Sequence, residues 1–74
     1  MRYLAAIDLF NEINIYLSAP GSLELDQYFY TILSGMYLKL KENPLKLKTP
    51  EVSAAVFNNI KFLMNVFESR FSTV

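Results

Sequence analysis

Residues 49–71 read TPEVSAAVFNNIKFLMNVFESRF, the longest uninterrupted helical pattern in the chain. Thr49 can accept a hydrogen bond from a free first-turn N–H, Pro50 has the fixed φ suited to the first helical position, and Glu51 complements the positive end of the helix dipole. Nothing inside the stretch breaks a helix. Val52, Ala55, Val56, Ile60, Leu63, Val66, Phe67 and Phe71 recur at the spacing of one face, and Phe57 and Met64 widen it. Ala54, Asn58, Lys61, Asn65, Glu68 and Ser69 are left for water. So wide an apolar face has to be covered by more than one neighbour, which the preceding residues must supply.

They do so in two further helical patterns. Over residues 2–18, Tyr3, Ala6, Ile7, Phe10, Ile13 and Leu17 form a stripe flanked by Leu9 and Tyr16, while Asp8, Asn11 and Glu12 face away together with Leu4 and Ile15. Ser18-Ala-Pro-Gly-Ser22 then breaks the pattern, and Pro20-Gly21 matches the central pair of a type II turn. Ser22 caps the next helix, whose first turn carries Glu24 and Asp26 at the positive dipole end. This second helix is expected over 23–41, with Leu25, Tyr28, Phe29, Ile32, Met36 and Leu40 on its main apolar face and Tyr30, Leu33 and Tyr37 beside them. Its opposite side is small, and Thr31 and Gly35 open two readings: a close backbone approach, or an uncharged exposed face. Pro44 ends the helix. In the linker, Leu45 and Leu47 alternate with Lys46 and Lys48, so the leucines can lie on the core while the lysines face water. The expected architecture is all-α: one domain over 1–74, an antiparallel three-helix bundle of helices 2–18, 23–41 and 50–71.

A chain of 74 residues buries only roughly 60% of its unfolded surface. With 53% hydrophobic residues, among them six Phe and five Tyr, the readings are a small, well-filled core or, favoured here, apolar surface left for a partner, a second copy or a membrane, and a homodimer through the third helix is one outcome. Seven Lys/Arg balance seven Asp/Glu, so the basic stripe of a nucleic-acid binder is missing and no nucleic-acid partner is expected. No run reaches the length of a transmembrane segment. The absence of cysteine removes thiolate chemistry and fits a reducing, cytoplasmic location.

With no His either, the commonest general base and metal ligand is gone. The carboxylate pairs Asp8/Glu12 and Glu24/Asp26 read as solvated helix faces, and no phosphate-cradling or activated-serine motif occurs. The five tyrosines read as rings at the core margin or at an interface. Neither enzyme activity nor a cofactor or metal is expected.

Asp8-Leu-Phe-Asn-Glu-Ile-Asn14, Tyr37-Leu-Lys-Leu-Lys41 and Asn59-Ile-Lys-Phe62 resemble segments of the enterocin-type immunity proteins that protect lactic-acid bacteria against pediocin-like bacteriocins. The resemblance implies a cytosolic antiparallel helical bundle that engages a bacteriocin-occupied sugar-transport receptor in the membrane without cutting the toxin. Members of that family are often basic, whereas this chain is neutral. Tyr37, Lys39, Lys41, Lys46 and Lys48 are the expected partner-binding residues. A second, shorter stretch, Ser22-Leu-Glu-Leu-Asp26, is similar to the motif of small helical phosphatases acting on sporulation response regulators, which implies a catalytic role for Asp26. The capping reading of Ser22 competes with it. A small regulatory, chaperone or phage-encoded adaptor that docks a helix on a partner protein is the alternative to immunity.

Overall fold

The computed structural model describes residues 3–19, 21–43 and 50–72. It is a three-helix bundle of α1 (Tyr3–Ser18), α2 (Leu23–Glu42) and α3 (Pro50–Ser72). The spans agree with the sequence reading to within a residue at each end, the usual extent of helix fraying. The Pro20-Gly21 turn, the Pro44 stop, the Leu45 and Leu47 packing and the Thr49 cap fall wholly or partly outside the described residues.

Ser22 acts as read. Its backbone is extended (φ −142°, ψ 153°) and its side chain accepts a hydrogen bond from the Leu25 N–H at 3.1 Å. At the other end of α2 the Asn43 N–H returns to the Lys39 carbonyl at 3.0 Å, satisfying one last-turn acceptor.

Side-chain pairings give the direction of each helix. From one end of α2 to the other, Asp26 meets Arg70, Phe29 meets Phe67 and Tyr37 meets Phe57, so α2 and α3 run antiparallel. Tyr16 meets Asp26 and Phe29 across the first corner, and at the other end Ile7 and Phe10 share a hollow with Val52 and Val56, so α1 runs antiparallel to α2 and parallel to α3. The longest dimension of the molecule is 37 Å, close to the ~34 Å rise of the 23-residue α3. The helices therefore lie side by side. Backbones approach most closely between α2 and α3.

The core takes Ala6, Phe10 and Ile13 from α1, Phe29, Leu33 and Leu40 from α2, and Val56, Ile60, Leu63 and Phe67 from α3. Each set recurs at steps of three, four or their sum, seven, as the burial of one helix face requires. Phe29 ties all three helices together: its ring lies 5.2 Å from Tyr16 and 6.3 Å from Phe67, centroid to centroid.

Among the described residues one charged side chain enters this core. Asp26 is only 3% exposed. Its Oδ2 accepts from Arg70 Nε at 2.8 Å, and its Oδ1 accepts from the Tyr16 hydroxyl at 2.5 Å. The Tyr16 hydroxyl in turn accepts from the Ser22 N–H at 3.3 Å. A buried carboxylate costs several kcal/mol unless both oxygens are satisfied, and here one donor comes from α1 and the other from α3. The reading of Asp26 as a solvated first-turn acid is thus corrected.

The inward Asp26 also sets the rotation of α2. On a helix of 100° per residue, an inward Asp26 places Leu25 at the rim and turns Tyr28 away by about 200°. Leu25 and Tyr28, expected on the main apolar face, are accordingly exposed. Gly35 is also exposed, and a Cβ placed there would meet nothing within 4 Å. The close-approach reading of Thr31 and Gly35 is set aside in favour of the open face. In α3, Ala55 is exposed rather than packed, and Ser53 is buried with no hydrogen-bond partner for its hydroxyl among the described residues.

Candidate interaction surface

Two flanks of α3 present side chains that the core does not absorb. The first is its seam with α2. Tyr37 stacks on Phe57 with centroids 4.9 Å apart and planes inclined by 21°, so the two rings close the seam near the end of α2. A cation sits over each ring. Lys41 Nζ is 5.9 Å from the Tyr37 centroid and Lys61 Nζ is 5.7 Å from that of Phe57. At these distances the ring quadrupole attracts an ammonium group, by about 0.5–1 kcal/mol at an exposed site. Lys39, Lys41 and Lys61 are exposed, and Leu38, on the same turn as the α2 lysines, is 57% exposed. The last-turn position of Lys39 and Lys41 also suits the negative end of the α2 dipole.

Of the five residues expected to bind a partner, the fold thus places Tyr37, Lys39 and Lys41 at one end of one helix, with Tyr37 half-buried in the seam. Lys46 and Lys48 lie outside the described residues. Lys61 and Phe57 join the group across the seam. The sequence reading left both out of the surface, because only the antiparallel register of α2 and α3 brings residue 57 beside residue 37.

Further along the same seam, Tyr30 donates a hydrogen bond to Glu68 Oε2 at 2.5 Å and packs edge-on against Phe71 with centroids 5.4 Å apart. The bond to the carboxylate, partial burial and the nearby negative charge together raise the Tyr30 pKa above its ordinary value of 10.0. Lysines stand at one end of the seam, and Glu68 stands beside the Asp26–Arg70 pair at the other.

The second flank is the groove between α1 and α3. A hollow of about 300 Å³ opens there, lined by Ile7 and Phe10 from α1 and Val52, Ala55, Val56 and Asn59 from α3. Among the described residues no charged side chain lines it. Phe62 stands beyond the hollow on the same side of α3 and is 63% exposed. The sequence reading assigned Phe62 neither to the buried face nor to water. Its signal was an aromatic residue outside the main stripe.

The Ser22–Asp26 stretch forms a cap and a buried ion pair. Ser22 Oγ is engaged with the α2 backbone, and both Asp26 oxygens are engaged with other helices. No helix among the described residues is long and apolar enough to cross a membrane. Set against family models, curated proteins and solved structures, the chain matches none.

Proposed function

We propose that this chain is a non-enzymatic protein-interaction protein that docks through the basic, aromatic end of the α2/α3 seam, and most specifically a cytosolic immunity protein against pediocin-like bacteriocins. The observation that carries the docking reading is the ladder Lys41–Tyr37–Phe57–Lys61, two stacked rings each under an ammonium group, with Leu38 exposed beside it. Aromatic rings whose rotamers are held by packing bind at low entropic cost, and flanking lysines select a partner surface of opposite charge.

The immunity reading is supported by the three resembling segments, which fall within α1, at the end of α2 and within α3. Two of them, 37–41 and 59–62, supply Tyr37, Lys41 and Lys61 to the ladder. The partner would be a membrane sugar-transport receptor with bacteriocin bound. No bond is made or broken in this role; the bundle acts by occupying a surface.

Expression of the chain in a sensitive strain, followed by challenge with a panel of pediocin-like peptides, tests it. Survival against at least one peptide is expected, and it should fall when Lys41 and Lys61 are both changed to Glu while helicity is unchanged. Undiminished killing by every peptide ends the immunity reading.

A further inference from the structure

We infer that the α1/α3 groove is the contact between two copies of this chain, each inserting Phe62 into the other's hollow. Ala55, Asn59, Phe62 and Val66 follow at steps of four, three and four residues, one face of α3. Ala55 and Asn59 line the hollow, so Phe62 projects from the hollow's own side. It stands seven residues beyond Ala55, ~10 Å along the axis. The ring does not line the hollow of its own chain. A second copy, related by a two-fold axis crossing α3 near Asn58 and Asn59, brings its Phe62 over this hollow and receives this chain's Phe62 in return. Knob and hole on one patch make it self-complementary, as a two-fold interface must be.

Size and charge agree. A dry apolar cavity of ~150 Å³ accommodates benzene, and this hollow offers about 300 Å³ between Ile7, Phe10 and Val56. The chain carries no net charge, so approach of a second copy meets no overall repulsion. Among the described residues the lining of the hollow is uncharged, and Glu51, one turn before Ala55 on the same face of α3, is exposed at its edge. Phe57 and Asn59 are two residues apart and so point about 200° away from each other. The dimer accordingly leaves the Tyr37–Phe57 ladder facing outwards on both copies. The inference stands apart from the docking reading, and either can fail alone.

Sedimentation equilibrium of the intact chain from 1 to several hundred µM, on the order of magnitude where transient interfaces lie, is expected to show a monomer–dimer equilibrium. Phe62→Ala should raise the dimer dissociation constant about tenfold or more, because both knobs are lost. Ala55→Trp, which fills the hollow from an exposed position, should do the same. Mixing the two variants restores one intact contact, the Phe62 of the Ala55→Trp chain entering the unaltered hollow of the Phe62→Ala chain, and should give a heterodimer tighter than either homodimer. Since the chain has no cysteine, Asn58→Cys adds a single thiol near the axis and should cross-link copies rapidly on oxidation. Circular dichroism checks that each variant keeps its helices. A strict monomer across the range, or a dimer indifferent to both substitutions, overturns the inference.

Discussion

Asp26 shows how one side chain can position three helices. Its carboxylate is nearly inaccessible to water, yet one oxygen faces the Tyr16 hydroxyl and the other the Arg70 guanidinium. Asp26→Ala removes the acceptor that α1 and α3 share, while the Tyr16 hydroxyl retains the Ser22 carbonyl at 3.0 Å. Because Arg70 keeps a side-chain exposure of 32%, its guanidinium can recover some hydration, so the cost falls short of a fully buried pair: about 2–3 kcal/mol, with Tyr16→Phe costing about 1 kcal/mol. Urea unfolding of the two variants measures both, and a change under ~0.5 kcal/mol for Asp26→Ala would mean that the pair holds nothing. Tyr30 provides a second residue-level test. Its folded pKa is raised by the bond to Glu68, by burial and by that carboxylate's charge. The neutral phenol is the form the fold favours, so its contribution is complete below the unfolded value near 10 and disappears as pH rises through the higher folded value. The stability difference between the wild-type chain and Glu68→Gln should therefore be constant from about pH 7 to about pH 9 and shrink as pH rises towards the folded value, as pH-dependent urea titrations would show.

At the level of the helix, α2 is the least uniform of the three. Its inward edge runs from Asp26 through Phe29 and Leu33 to Leu40, while Leu25, Tyr28 and Leu38 are exposed. Gly35 sits in the middle of the exposed arc with open space where a Cβ would go. A glycine there loses more backbone entropy on folding than alanine and gains no contact in exchange. Gly35→Ala should consequently stabilise the bundle by about 0.5–1 kcal/mol, read as a higher thermal midpoint at unchanged oligomeric state. A loss of stability would show that α2 needs the glycine's flexibility.

For the molecule as a whole, the consequence of small size is that little stability is in reserve. Marginal stability of ~0.05–0.15 kcal/mol per residue leaves a chain of this length with roughly 4–11 kcal/mol. Phe67, fully buried and stacked on Phe29, and Phe62, largely exposed, lie five residues apart on α3. Phe67→Ala should cost about 3–5 kcal/mol and bring the bundle close to unfolding. Phe62→Ala, measured on the dilute monomer, should change stability by no more than about 0.5 kcal/mol. Thermal melts of the two variants set the same substitution inside and outside the core. Equal losses would contradict the packing described above.

The three helices and their order were legible in the chain because each carries its own signals: a 3.6-residue apolar period, Ser22 at a helix start, prolines near both corners. Much of the core was legible too, since Phe10, Ile13, Phe29, Val56, Ile60, Leu63 and Phe67 all lie on the faces read as apolar. Periodicity specifies a face relative to its own helix but not the rotation of that helix against its neighbours. Asp26 occupies the apolar edge of α2 one turn before Phe29, and its burial depends on Arg70, 44 positions away, and on Tyr16. The same packing turned Leu25 and Tyr28 outward, brought Phe57 beside Tyr37, and opened a hollow behind Phe62. These are long-range pairings, set by how helices settle against one another, and no local pattern in the chain encodes them.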